Sequence, residues 1–231
     1  MDCQVVLVDH SQTQVMTPLR TEKIVSIKYS ELVQSTEDTI NDADKNKVLT
    51  LLLDKIGLGF GSDDSCLGII AVIEIPGLRE KRDKLLPLAR ELTKLPSSDL
   101  DEVVVPEAGY QVGWSHGKEK LEGLNKFDLA KGSFYANPLT DDFVASYKER
   151  LTEDSSVSNH QSLTQRMDKL AKDNYPFFAP NVWPPKMPQL KTSFNEVAAT
   201  IHAIGKMIAK LCDLYVQSKV SWKYHCWKFY V

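Results

Sequence analysis

The stretch LKTSFNEVAATIHAIGKMIAKLCDLY, residues 190–215, carries the clearest periodicity in the chain. Its apolar residues Leu190, Phe194, Val197, Ile201, Ile204, Ile208, Leu211 and Tyr215 are separated by alternating steps of four and three, which stacks them on one face of an α-helix. A helix of about 26 residues would be about 39 Å long, against a radius of gyration of roughly 17 Å for a compact domain of this length. The pattern therefore predicts a helix that spans the whole domain. Its stripe needs a partner surface along its full length, and the chain supplies few convincing strands to cover it. Asn181-Val-Trp-Pro-Pro-Lys-Met-Pro, just upstream, reads as the turn that leads into it.

Working towards the N-terminus, the polar tract from Asp141 to Asn174 reads as a surface loop or insertion, although Leu163 to Ala171 has a helical look. Tyr110 to Pro138 is rich in Gly, aromatic and polar residues with little regular period, as expected of loops and short strands with residue-specific roles. Leu78 to Leu95 has the spacing of an amphipathic helix, dented at Pro87. Leu67 to Ile75, bounded by Asp63-Asp64 and Pro76-Gly77, is the best strand and suits burial on both faces. Val48, Leu51, Leu52 and Ile56 predict a helix from Asp44, with Gly57 and Gly59 as its stop. Lys23 to Tyr29 predicts a short strand, followed by a turn at Ser30 to Leu32.

Composition bounds the function classes. The 231 residues carry 28 Lys plus Arg against 31 Asp plus Glu, net −3, with 42% hydrophobic residues. That is too apolar for a disordered chain and too nearly neutral for a protein held mainly by phosphate contacts. The expectation is a cytoplasmic protein that binds neither nucleic acid nor membrane. No export signal is visible at the N-terminus, and the longest apolar run is far short of the roughly 20 residues that cross a bilayer. Cys3, Cys66, Cys212 and Cys226 lack the spacing of a zinc knuckle or redox pair and read as separate reduced thiols.

Several chemistries lack their residues. Asp9-His10-Ser11 gathers triad residue types, but three adjacent residues cannot meet as a catalytic triad. Gly57-Leu-Gly-Phe-Gly misses the dinucleotide fingerprint, and no phosphate-loop Gly-Lys-Ser or Gly-Lys-Thr occurs. A cysteine nucleophile at Cys66 or Cys226 rests on residue availability alone. The aromatic and basic Ser221 to Val231 reads as a packing segment or tail rather than a base-stacking platform. His10, His116, His160, His202 and His225 are none of them followed two positions later by Asp or Glu, and none begins His-Glu-x-x-His.

Gly109-Tyr-Gln-Val-Gly-Trp-Ser-His-Gly-Lys-Glu-Lys and Lys131-Gly-Ser-Phe-Tyr-Ala-Asn-Pro are the most specific segments. With Leu67-Gly-Ile-Ile-Ala-Val-Ile-Glu-Ile-Pro-Gly-Leu-Arg-Glu, Leu85-Leu-Pro-Leu-Ala-Arg, Tyr175-Pro and Asn181-Val-Trp-Pro, they resemble the N-terminal half of isopenicillin N synthase-like non-haem Fe(II), 2-oxoglutarate-dependent oxygenases. The similarity runs from about residue 23 to about residue 228. It implies an α/β (α+β) fold: the helical and strand region that abuts a double-stranded β-helix, ending at the long spine helix, with most of the jelly-roll barrel absent. Residues 1–22 are then an N-terminal tail and 23–140 a non-haem dioxygenase N-terminal-like region. Residues 141–174 form the polar loop or insertion, and 175–231 the Pro-rich turn, spine helix and aromatic tail.

The same resemblance places the iron ligands, a His-x-Asp pair and a distal His, and the Arg-x-Ser that holds 2-oxoglutarate, in the second half of the family fold. None of Arg20, Arg79, Arg82, Arg90, Arg150 and Arg166 is followed two positions later by Ser. No catalytic or metal residue is assigned, and no cofactor is expected in this chain, although the family uses Fe(II) and 2-oxoglutarate. The expectation is an N-terminal portion that does not oxidise substrate alone, whose partner is a complete homologue or the missing C-terminal half. The alternative is a non-catalytic binding module or pseudo-enzyme that docks partners through an exposed spine helix. Tyr135 and Asn137 are substrate-side candidates by resemblance, with Tyr110, Trp114, Ser115, His116 and Lys118 behind them. Against this stands a structural role, with the aromatics filling a seam between halves and Asn137-Pro138 forming a turn.

Overall fold

The computed structural model describes residues 4–7, 20–35, 42–121, 123, 125–154 and 158–219. Asp9-His10-Ser11, Cys3, Cys226, His225 and the aromatic segment 221–231 lie outside them. The protein is a mixture of helix and strand, and it divides into two compact units, residues 1–76 with 203–231 and residues 77–202.

In the first unit, β1 (Gln4–Leu7) pairs antiparallel with β2 (Arg20–Lys23), within what the sequence suggests is a tail. The strand expected at 23–29 is β3 (Val25–Lys28), followed by α1 (Tyr29–Gln34), α2 (Asp42–Phe60) and β4 (Ile70–Ile73). β3 and β4 run parallel, in register from Val25↔Ile70 to Lys28↔Ile73.

Three expectations change here. Ser30 to Leu32 is helix rather than turn, because Glu31 closes the start of α1: its Oε2 accepts the Lys28 backbone N–H at 2.9 Å and the Lys55 ammonium at 2.7 Å. Burial pushes the Glu31 carboxyl up, but the bonds from Lys55 and Lys28 outweigh it and hold the group below its ordinary value. Gly57 and Gly59 do not stop α2, which continues to Phe60. They are glycine because of what packs on them: a Cβ would lie 2.9 Å from the Tyr215 ring at Gly57 and 2.3 Å from the Ile70 side chain at Gly59. Finally, β4 is shorter than Leu67 to Ile75 and only half-buried, since a two-stranded sheet cannot cover both its faces.

The second unit comprises α3 (Leu78–Leu92), α4 (Ser97–Asp101), a 3-10 turn at Pro106–Ala108, β5 (Gly113–His116), β6 (Gly132–Tyr135), α5 (Phe143–Glu153), α6 (His160–Asp173) and α7 (Tyr175–Phe178). Pro87 sits inside α3 without ending it. Asp99, buried on α4, is held at 2.9 Å by Lys186, whose own pKa is raised by that bond.

The tract 141–174 is corrected from surface loop to two helices. Asp142 caps α5 by accepting the Ala145 N–H at 2.9 Å, and Phe143, Tyr147 and Leu151 recur every four residues on its apolar face. α6 has no buried residue, and Lys148 ties it to α5 through Asp168. Its polarity comes from a solvent-facing helix, which composition alone mistakes for a loop.

α8 (Pro188–Lys219) is the expected long helix, 32 residues and so about 48 Å. In residues 77–202, Leu190 joins Leu92, Val103, Trp114 and Met187 in one core. In the first unit, Ile204 and Leu211 join Ile27, Leu32, Leu52 and Ile56 in the other. Most of the stripe is therefore covered: Leu190, Val197, Ile204 and Leu211 are buried, and of its eight residues only Ile201, at 58%, is exposed. No helix among the described residues is long and apolar enough to cross a membrane.

Urea unfolding separates the two kinds of position on α8. Leu211→Ala empties a filled core site and is expected to cost about 2–5 kcal/mol. Ile201→Ala, on exposed helix, should stay within about 0.5 kcal/mol. Equal losses at the two positions would contradict the packing described.

Candidate functional site

The site is built on the β5–β6 hairpin, and two glycines set its shape. Gly113 has φ 73°, and a Cβ there would fall 2.0 Å from the Val103 carbonyl oxygen. That close approach lets the Trp114 N–H donate to the Val103 carbonyl at 2.8 Å. Gly132, paired with His116, lies under the Trp114 ring, where a Cβ would be 2.2 Å from the indole. Trp114 is thus pinned into the core, 9% exposed, and its ring stacks on His116 at 6.0 Å.

Beside this hairpin is an open cleft of about 420 Å³, lined among others by Tyr110, Gln111, Ser115, Lys118, Glu119 and Tyr135. Four of the seven sequence candidates meet here. Tyr110 has φ 61°, a left-handed conformation that costs a non-glycine residue roughly 1–3 kcal/mol. The Lys118 ammonium sits 5.0 Å from the centroid of its ring. Ser115 is buried, yet among the described residues nothing hydrogen-bonds its hydroxyl. Glu119 receives Lys131 at 2.9 Å and the Tyr135 hydroxyl at 3.5 Å, and the first of these bonds raises the Lys131 pKa.

A second cleft of about 380 Å³ also has Gln111 and Tyr135 in its lining, with Asn137, Asp141, Phe143 and Phe178. Asn137 reaches it, but its side chain is committed to a turn, its Oδ1 accepting the Leu139 N–H at 2.9 Å. Trp114 and His116 line a third hollow of about 240 Å³ with Lys118 and not the first cleft. The His116 Nε2 is 2.9 Å from the Leu129 carbonyl oxygen. Sequence reasoning quoted Glu119 and Lys131 but assigned neither a role. Their signal was the string Lys118-Glu-Lys followed by Lys131 just before the facing strand, which becomes an ion pair only once the hairpin register is known.

Asp141 holds the second cleft in place. Its Oδ1 accepts from the Trp183 indole at 2.8 Å and the Asn181 amide at 3.1 Å, while Oδ2 accepts from Lys191 on α8. Asn181 also donates to the Asn137 and Thr140 carbonyls, at 3.0 and 3.2 Å, and accepts the Asn137 N–H at 2.6 Å. Partial burial pushes the Asp141 carboxyl up, but the bonds from Lys191, Trp183 and Asn181 prevail and hold it below its ordinary value.

The described residues do not fit an iron centre: no group of three His, Cys, Asp or Glu side chains among them could hold a metal. Cys66 places its thiol 3.4 Å from the Gly57 carbonyl, and burial, with Asp213 nearby, pushes the Cys212 thiol up, away from a reactive thiolate.

The depressed Asp141 pKa fixes a sign. Its stabilisation is complete above the ordinary value of 3.8 and is lost as pH falls through the lower folded value. Asp141→Asn is expected to cost on the order of 1 kcal/mol at pH 7, allowing for screening of a part-exposed carboxylate. In denaturant titrations the gap between wild type and variant should close below about pH 4. A gap independent of pH would rule out the charge as its source.

Comparison with protein-family models, with curated proteins and with solved structures finds no match for this chain.

Proposed function

We propose that this chain is the N-terminal region of an isopenicillin N synthase-like Fe(II), 2-oxoglutarate-dependent oxygenase, and that it forms the substrate-side wall rather than the metal centre. The observation that carries the proposal is the coincidence of motif and cleft. The two segments with the most specific resemblance, 109–120 and 131–138, are those that converge at the cleft around Tyr110, Ser115, Lys118 and Tyr135. Motif segments that only filled a core would have no reason to leave an unbonded serine hydroxyl, a lysine without a carboxylate partner among the described residues and a strained tyrosine on one open surface.

In this account the chain's own residues orient a substrate and oxidise nothing. The iron and 2-oxoglutarate groups are supplied by residues not present in the 231 of this sequence, which contains neither His-x-Asp nor Arg-x-Ser. The docking alternative finds less support, because the helix stripe it would use is largely buried.

The test is release of succinate from 2-oxoglutarate in the presence of Fe(II) and oxygen. The chain alone should release none above a protein-free blank. Joined at the end of α8 to the barrel half of an active isopenicillin N synthase-like oxygenase, it should give a soluble hybrid that binds Fe(II) and releases succinate. Turnover by the chain alone would overturn the division of roles. A folded, iron-loaded hybrid without turnover would overturn the family assignment.

A further inference from the structure

We propose that the two clefts flanking Tyr135 form one binding site for an organic anion of single charge carried on a rigid apolar body, such as an aryl carboxylate. This rests on the substrate-side assignment above and adds the chemical class of the ligand.

The charge follows from the ion-pair arrangement. Glu119 is matched by Lys131 at 2.9 Å, so neither contributes net charge to the first cleft. Lys118 is paired with no carboxylate among the described residues and rests against the Tyr110 ring, 5.0 Å from its centroid. One uncompensated cation selects one negative charge, and the Ser115 hydroxyl is an unused donor in the same cleft. A polyphosphate would leave most of its charge unmatched, since among the described residues no second free cation lines this cleft.

The apolar body follows from the other side of Tyr135. There the lining includes Phe143 and Phe178, whose ring centroids lie 5.9 Å apart, and Phe177, which is 75% exposed. Gln111 and Tyr135 belong to both linings, so a molecule lying across the Tyr135 ring meets Lys118 at one end and phenylalanine at the other. Each cleft, at about 420 and 380 Å³, is of small-molecule size.

Calorimetric titration of the full chain with 1-naphthylacetate, 1-naphthylacetamide and acetate tests this directly. Naphthylacetate should bind at one site, about tenfold tighter than the uncharged amide, as expected of a charge-assisted hydrogen bond. Acetate alone should give no saturable signal. Lys118→Met should abolish the preference for acid over amide without weakening the amide, and Lys118→Arg should retain it. Phe177→Ala, at an exposed position that leaves folding intact, should weaken acid and amide alike. Equal binding of acid and amide by wild type, an acid preference that survives Lys118→Met, or no saturable binding of either would overturn the proposal. The titration needs neither Fe(II) nor 2-oxoglutarate. Anion binding beside an inactive hybrid removes the oxygenase assignment and leaves the site, whereas an active hybrid without anion binding removes only the ligand class.

Discussion

The apolar stripe of α8 is the constraint on which the rest of the structure depends. Most of a helix's stability in a folded protein comes from packing its apolar face, so the stripe on this 32-residue helix has to be covered by the rest of the chain. The chain meets that demand in two places. Leu190 completes a core with Leu92, Val103, Trp114 and Met187, and Ile204 with Leu211 completes another around Ile27, Leu52 and Ile56. Neither core is large. Each leucine or isoleucine buried from α8 contributes about 1.5–3 kcal/mol of transfer free energy, a sizeable share of the few kcal/mol that separate folded from unfolded chains. The exposed Ile201 lies between the two groups of contacts, next to the division at residue 203.

The cleft depends on the first of these cores through Trp114. Because its ring lies over Gly132 and its N–H is held by Val103, the β5–β6 hairpin has one register, and Tyr110, Ser115, Lys118 and Tyr135 are carried to one surface. Asp141 does the corresponding work beyond Pro138. It joins the segment after β6 to Trp183 and to Lys191 at the start of α8, so the helix that closes the core also anchors the second cleft. Strain at Tyr110 persists only because this surrounding structure over-determines it.

Much of this was legible in residues 190–215, where a period of alternating threes and fours admits one interpretation, and in the strands at 25–28 and 70–73. The short strands at 113–116 and 132–135 were foreseen as a class but not as a pair, since register is a long-range property. What escaped notice has specific causes. Gly57 and Gly59 carry a helix-stop signature, and only the positions of Tyr215 and Ile70 reveal why glycine is needed within α2. The polar surface of α6 conceals its helix because nothing on it is buried. Four of the candidate residues share a cleft because they flank one hairpin, whereas Trp114, His116 and Asn137 have their side chains turned to packing, a backbone carbonyl and a turn. Glu119 and Lys131 gain meaning only as a pair.

Amide hydrogen exchange along α8 tests most directly whether one helix closes both cores. The amides of Leu190 and Val197 and those of Ile204 to Leu211 should exchange slowly, the latter at rates close to those of Leu52 and Ile56 on α2, because both open only when that core opens. Exchange at Ile204 to Leu211 orders of magnitude faster than at Leu52 and Ile56, as in a helix standing free in solvent, would contradict the account.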